Sequence, residues 1–305
     1  MFKYFAYFLA GAVSRGTPRR FAYWLALRIA DLYFFLDRRG RRAVMANLRQ
    51  VFAFRGEQPG RRQLRLAARR TFQNFAKYLV DFFRFSRLTE TEIRELLEIE
   101  HGENLEQAKA DGKGVILITG HLGNWELGGA VLASMGHRIN AVALRHPSAK
   151  VNDFFQRHRR QRGVKIVPLG HAVSELINAL RRQECVGLLA DRDYSRHNDF
   201  VPLCGVPACL PRGPAWLAEQ TGAPIVPVFV LRQDDDTFLL RVGEPLRANV
   251  GGSRKDLQRR ICGVLETAIG GNPSQWFMFE RVWDGHNYVG AAAATRASGS
   301  EGGRP

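Results

Sequence analysis

The hydrophobic pattern divides the chain into an amino-terminal part with helical periodicity and a longer part where short apolar runs alternate with amphipathic stretches. Residues 2–13 are apolar and aromatic, interrupted by Lys3. A second apolar run covers residues 21–36, after Gly16, Thr17 and Pro18, which read as a cap and a helix start. From Arg41 to Arg87 the pattern stays helical. Ala43, Val44, Leu48, Val51 and Phe52 share one face, and a Gly/Pro-bearing break at residues 56–60 separates them from a second helix carrying Leu64, Phe72, Phe75, Tyr78, Phe82 and Phe83. Thr89 with Glu92 three residues on predicts a capping box for a helix through Leu97.

Beyond residue 114 the rhythm changes. Val115–Thr119 is an apolar run of strand type bracketed by Gly114 and Gly120, followed by a polar corner and a helical pattern at Trp125, Leu127, Ala130, Val131 and Ala133. Asn124 stands where the N-cap of that helix is expected, which puts Glu126 in its first turn. Strands are predicted at 139–144, 164–167, 186–190, 225–230 and 238–242, with helices at 149–162, 172–180, 213–220 and 254–268 between and after them. The aromatic stretch Trp276–Trp283 completes the fold. Such alternation predicts an α/β fold, a central mostly parallel sheet covered by helices, with an N-terminal helical membrane-associating segment. The expected organisation is membrane-associating helices at 1–36, an α/β domain at 37–288 and a disordered Ala/Gly/Ser-rich tail at 289–305.

Composition narrows the partners. The 305 residues are 45% hydrophobic, as in a globular protein, but carry a net charge of +16, mostly from arginine. That excess implies an anionic partner: nucleic acid, phospholipid headgroups or an acidic carrier protein. The basic residues are spread over the whole chain and no nucleic-acid motif is present, so a nucleic-acid partner is not expected. Neither N-terminal run is a clean span, since the first is short and the second contains Arg28 and Asp31, and no small-x-small cleavage site follows. Aromatic residues flanked by Arg15, Arg19, Arg20, Arg38 and Arg39 describe helices lying in a membrane interface; a tilted span and a helical subdomain packed on the core are the alternatives. The four cysteines show no C-x-x-C pair and no histidine at zinc spacing, so buried thiols, a reducing compartment and no metal site are expected.

The candidate chemistry sits at strand ends. A histidine followed five residues later by an acid occurs twice, at His121…Glu126 and His101…Glu106, and only the first has a strand leading in and a helix leading out. Polar groups recur beyond the other strands, with Arg145 and His146 after Leu144 and Asp191-Arg192-Asp193-Tyr194 after Ala190. Parallel strands would gather them on one edge of the sheet, where open α/β sheets place their ligands. A histidine base oriented by a carboxylate, beside arginines, suits removal of a proton from a hydroxyl while anionic parts of a substrate are held. His121 and Glu126 are the catalytic candidates; Asn124, Arg145, Asp191 and Asp193 are the substrate-binding candidates.

With these residues in place the chain resembles the lysophospholipid acyltransferase superfamily, and within it the late lipid A (lauroyl/myristoyl) acyltransferases, over roughly residues 20–285. The hallmark His-x4-Asp/Glu is met by His121-Leu-Gly-Asn-Trp-Glu126. The proline-bearing strand is met by Ala223-Pro-Ile-Val-Pro-Val228, and the Asp-x-Asp-Tyr segment by Asp191–Tyr194. The arginine before a proline is met with one inserted residue, Arg145-His146-Pro147. The Pro-Glu-Gly phosphate segment of the glycerol-phosphate branch is missing, which counts against a glycerol-3-phosphate acceptor. The Asn-Trp before the acid and the ending Trp276-Phe-Met-Phe-Glu-Arg-Val-Trp283 are also similar to actinobacterial phosphatidylinositol mannoside acyltransferases.

The resemblance implies transfer of a fatty acyl chain from a thioester of acyl carrier protein to a hydroxyl of a lipid A-type glycolipid precursor, with His121 as base and Glu126 as orienting acid. It needs no cofactor beyond the acyl-ACP or acyl-CoA co-substrate. The implied setting is the cytoplasmic face of the cell inner membrane, in contact with anionic lipid. The alternative within the enzyme class is acyl-CoA-dependent acylation of a phosphatidylinositol mannoside or lysophospholipid. A non-catalytic membrane adaptor with an idle His–Glu pair is the alternative outside it.

Overall fold

A computed structural model describes residues 10–85, 88–143, 148–160, 163–168, 172–193, 200–248 and 252–283. Helices α1 (Arg19–Leu36), α2 (Arg38–Phe54) and α3 (Arg61–Arg84) come first. They are followed by α4 (Glu90–Leu96), β1 (Leu97–Glu100) and α5 (Glu103–Lys109). The alternating region runs β2 (Val115–Thr119), α6 (Trp125–Ser134), β3 (Ile139–Ala143), α7 (Ala149–Arg160), β4 (Val164–Pro168), α8 (Ala172–Arg181) and β5 (Cys185–Leu189). A hairpin of β6 (Phe200–Leu203) and β7 (Val206–Cys209), then α9 (Gly213–Thr221), β8 (Ile225–Arg232), β9 (Phe238–Val242) and α10 (Arg254–Gly271) complete the order.

Seven strands form one sheet in the order β1-β9-β8-β2-β5-β3-β4, parallel throughout except for the antiparallel β8–β9 pair. The α/β fold with a mostly parallel sheet is therefore as the alternation predicts. Side chains alternate across the sheet. Val115 and Leu117 of β2 join a core with Leu127 and Val131 of α6 and with Leu105 of α5. Ile116 and Ile118 join Leu176 and Leu180 of α8, Leu217 of α9 and Leu257, Ile261 and Leu265 of α10 on the other face. Strands covered on both sides must be apolar throughout, which is why β2 and β8 read as unbroken hydrophobic runs.

Three features escaped the sequence pattern. The capping box at Thr89 and Glu92 forms, with the Thr89 amide donating to Glu92 (2.7 Å) and the Glu92 amide to Thr89 Oγ1 (3.3 Å). However, the helix it starts stops at Leu96, and the next four residues become an edge strand paired with β9. Glu103–Lys109, in a stretch that looks merely polar, is a short helix that buries Leu105 and Ala108. The β6–β7 hairpin turns at Cys204 and Gly205, both at positive φ (51° and 76°), as a two-residue turn matched to strand twist requires.

The amino-terminal helices pack on one another through Ala30, Phe34, Val44, Leu48, Leu64, Ala68 and Phe72. A buried polar cluster ties them to the sheet. The Tyr23 hydroxyl of α1 donates to Asp81 of α3, and Arg232 at the end of β8 pairs with Asp81 and donates to the Tyr23 oxygen at 3.0 Å. The outer side of α1 leaves Phe21, Trp24, Ile29, Leu32, Tyr33, Phe35 and Leu36 about half exposed or more. Among the described residues no helix is long and apolar enough to cross a membrane.

Candidate active site

Register brings the site together. β2 and β5 are direct parallel neighbours, with Thr119 opposite Leu189, so the second residue beyond each strand, His121 and Asp191, emerges side by side at the carboxyl edge. The His121 backbone N–H donates to Asp191 Oδ2 at 2.7 Å, and His121 Nδ1 lies 2.9 Å from Asp191 Oδ1. Trp276 Nε1 donates to the same Oδ2 at 2.9 Å. A carboxylate only accepts, so Nδ1 carries a hydrogen, which in the neutral imidazole leaves the lone pair on Nε2. Asp191 is 1% exposed. Its burial works to raise the carboxyl's pKa, but the neighbouring His121 charge and the bonds from His121 and Trp276 outweigh it, and the group is held below the usual carboxylate range.

The loop carrying His121 is clamped from two sides. The Phe277 N–H donates to the His121 carbonyl (2.7 Å), Gly123 N–H to the Gln275 carbonyl (2.9 Å) and Asn124 N–H to the Val230 carbonyl (2.7 Å). Gly123 sits at φ +62°, and a Cβ there would stand 2.0 Å from the Val230 oxygen, so only glycine allows this close approach to β8. Asn124 caps α6 as expected, accepting from the Leu127 N–H at 3.1 Å. It is 1% exposed, and its Oδ1 is committed to the helix cap.

The His-x4-Glu spacing points to Glu126 as the acid on the imidazole; the structure puts Asp191 there instead. Glu126, one residue into α6, turns to Arg159 of α7, which reaches it through Nε at 2.9 and 3.0 Å and through Nη2. Burial lowers the Arg159 pKa, and the Glu126 charge and hydrogen bonds raise it by more, leaving the net shift upward. The pair ties α7 to the start of α6 and so builds one wall beside His121. Asp193 is also buried at the strand edge, accepting from Cys209 Sγ at 3.6 Å, and lines the cavity. Arg145 and Tyr194 lie outside the described residues. Trp276, read from sequence only as part of an aromatic stretch, is a direct partner of Asp191.

His121 opens onto a cavity of about 770 Å³. Most central-strand positions are fully buried, as all of β8 but Arg232 is, yet β3 and β5 lose that burial together from Ala141 and Gly187 onward. Pairing between these two strands ends at Ala141–Gly187, whereas β3 stays paired with β4 as far as Ala143 and Pro168. The cavity occupies the parting. On one face it runs beneath α6 along Leu117, Gly129, Leu132, Ile139 and Val164; on the other it reaches Leu188, Leu176, Trp216 and, at its rim, Arg192, Arg212 and Arg254. A deep apolar space opening on a histidine base and a basic rim suits a long hydrocarbon attached to a polar, anionic head.

Aromatic rings link the exposed amino-terminal helix to this mouth. Phe34 of α1 meets Phe72 (5.3 Å between centroids), Phe72 meets Phe279 (4.9 Å), and Phe279 meets Phe75 (5.1 Å). Phe75 and Tyr78 stack (5.7 Å), Tyr78 stacks on Trp125 (4.5 Å), and Trp125 stands edge-on to the His121 ring (5.3 Å).

Comparison with known proteins agrees with this chemistry. Residues 1–284 match the profile of the bacterial lipid A biosynthesis acyltransferases. The chain is 29% identical over 219 residues to the phosphatidylinositol mannoside acyltransferase of Mycobacterium tuberculosis, covering 70% of this chain and 69% of that protein. It is 26% identical over 219 residues to the protein of the same name in Mycolicibacterium smegmatis, covering 70% and 71%. The lipid A biosynthesis palmitoleoyltransferase of Escherichia coli is 26% identical over 149 residues, 48% of each chain. With the profile spanning nearly all of the described fold, the chain belongs to the bacterial lipid A biosynthesis acyltransferase family and is an acyltransferase that acylates a glycolipid.

Proposed function

We propose that the protein moves a fatty acyl chain from a thioester of coenzyme A or acyl carrier protein to a hydroxyl of a phosphatidylinositol mannoside-type glycolipid. The observation that carries the chemistry is the His121–Asp191 pair at the mouth of the apolar cavity. The likeness to two mycobacterial phosphatidylinositol mannoside acyltransferases, over more than two thirds of their length, favours that acceptor. A lipid A-type precursor is the second reading, supported by the shorter match to the Escherichia coli enzyme.

In this reading His121 Nε2 takes the proton of the acceptor hydroxyl as its oxygen attacks the thioester carbonyl. Asp191 holds the imidazole in the Nδ1–H tautomer and balances the imidazolium as it forms. When the tetrahedral intermediate collapses, the C–S bond breaks and the imidazolium returns the proton to the departing sulfur. Both substrates occupy one site, so proximity supplies much of the rate without an acyl-enzyme. Glu126 and Arg159 act as positioning residues for the wall beside His121. The half-exposed apolar side of α1 and its flanking arginines dock on anionic lipid at the cytoplasmic face of the membrane, with the aromatic rings of α3 leading inward from it.

The test is mass spectrometry of lipids from cells with and without the protein, together with purified protein supplied with palmitoyl thioesters. The expected result is loss of one acyl chain from phosphatidylinositol mannosides in the deletion strain and its restoration in vitro. A deficit confined to lipid A would support the second acceptor; a change in neither glycolipid would overturn both.

A further inference from the structure

The cavity is widest in meaning where the sequence departs from local propensity. α6 carries two adjacent glycines, Gly128 and Gly129, in its interior, and the central strand β5 carries Gly187. Glycine weakens both kinds of element, so three lining one cavity need a reason outside backbone preference. None of the three has a positive φ. The space around them differs. A Cβ on Gly128 would stand 3.0 Å from Val230 Cγ2, so this glycine lets α6 lie close on β8. A Cβ on Gly129 would meet only Val164 Cγ2, at 3.5 Å, and one on Gly187 only Ala141 Cβ, at 3.9 Å, both ordinary contacts. Those two positions could take a side chain, and what a side chain would fill is cavity.

Both lie below the strand edge. Gly187 lies two strand residues below Leu189 at the edge, about 7 Å down. Gly129 lies four helix residues below Trp125, about 6 Å down. Ile139 and Val164, paired with each other, sit about 7 Å beneath Gly187 and Ala141 and close the bottom. From edge to floor an extended chain runs roughly ten C–C bonds, at about 1.3 Å of advance per bond.

We infer that the side-chain space left open at Gly129, Gly187 and Ala141 forms the bore that sets how long an acyl chain the enzyme accepts, with Ile139 and Val164 as its floor. This rests on the reading that the cavity holds the acyl chain of the donor. A bulkier residue at Ala141 closes the bore about halfway, and one at Gly129 fills it beside Val164; either excludes the distal carbons of a long chain while leaving room for the proximal ones. The mouth at His121 and Asp191 is untouched.

The experiment compares wild type with Gly129→Leu, Gly129→Ala and Ala141→Leu across saturated acyl thioesters from octanoyl to stearoyl. For Gly129→Leu and Ala141→Leu the ratio of kcat/KM for palmitoyl to that for octanoyl should fall at least tenfold, in line with what a misplaced methylene does in an apolar pocket. Gly129→Ala should shift the ratio less, and because alanine favours a helix its Tm should be unchanged or raised. The dissociation constants of the free fatty acids, read by displacement of a fluorescent fatty acid, should shift in the same order. An unaltered chain-length profile, or an equal loss for every length, would overturn the bore while leaving acyl transfer intact. Should wild type transfer no acyl chain and bind no fatty acid, the reading of the cavity itself would fail.

Discussion

Replacing Asp191 by asparagine separates the site geometry from the motif most sharply. The carboxylate accepts three hydrogen bonds, from the His121 amide at 2.7 Å, His121 Nδ1 at 2.9 Å and Trp276 Nε1 at 2.9 Å. Asparagine keeps one accepting oxygen and turns an NH2 group toward a remaining donor, so the imidazole loses both its tautomer lock and its counter-charge. Charge-assisted bonds of this kind are worth about 1.5–3 kcal/mol each, and a positioned general base contributes about 10²–10⁴ in rate. For Asp191→Asn we expect kcat to fall about 10³- to 10⁴-fold, or roughly 4–5.5 kcal/mol in the barrier, with KM for the thioester changed by less than about threefold. Glu126→Gln makes the contrast. It leaves Asp191 on the imidazole and loosens only the Arg159 tie, whose two side chains are 21% and 15% exposed. It should reduce stability by about 2 kcal/mol, less than a fully buried pair, and kcat by no more than about tenfold. Steady-state acyl transfer in detergent micelles and denaturant unfolding read both variants. If Glu126→Gln lost activity to the extent predicted for Asp191→Asn, while Asp191→Asn stayed near wild type, the assignment of the orienting acid would be refuted.

Three further outcomes follow from the same geometry. Because the Asp191 pKa is depressed in the folded protein, its contribution to stability is fully present above the unfolded carboxylate value of about 4 and is lost as pH falls through its own lower pKa; Asp191→Asn should flatten that acid limb in unfolding measurements. Gly123→Ala would drive a Cβ into the Val230 carbonyl from a left-handed backbone position, and should lower stability by about 2–4 kcal/mol in urea titrations; a change under about 0.5 kcal/mol would contradict the clamp. Trp24, Leu32 and Phe35 are 54%, 60% and 56% exposed and fall within about 80° of one another around α1. Changing all three to serine should weaken binding to anionic phospholipid vesicles by about 100-fold, at roughly 1 kcal/mol per half-buried side chain, and unaltered co-sedimentation would count against the docking face.

How far the sequence carried depended on whether a feature was local. β2, β8 and β9 and the cap at Asn124 were legible because apolar runs, turn glycines and an N-cap residue act over a few positions. The edge strand β1 was not, since Leu97–Glu100 has no distinctive pattern and owes its conformation to pairing with β9, some 140 residues later. The same holds within the site. His121 was visible from its own strand–turn–helix context. Its partner was not, because Asp191 reaches it only through the adjacency and register of β2 and β5, and Glu126 was the nearer acid in sequence. A signal did exist: a largely apolar five-residue strand ends two positions before each of His121 and Asp191, so any parallel pairing in register sets them abreast. Strand order, which sequence periodicity does not encode, was the missing piece. Trp276 was hidden for the opposite reason, since among so many aromatic residues only the fold shows which indole N–H meets a buried carboxylate.

The central claim is that the imidazole of His121 removes the acceptor's proton, and single-turnover acyl transfer by His121→Ala tests it most directly. With palmitoyl thioester and a mannosylated phosphatidylinositol in micelles, the variant should remain folded and bind the thioester, while its transfer step slows by about 10³-fold or more. Transfer within about tenfold of wild type would contradict the account.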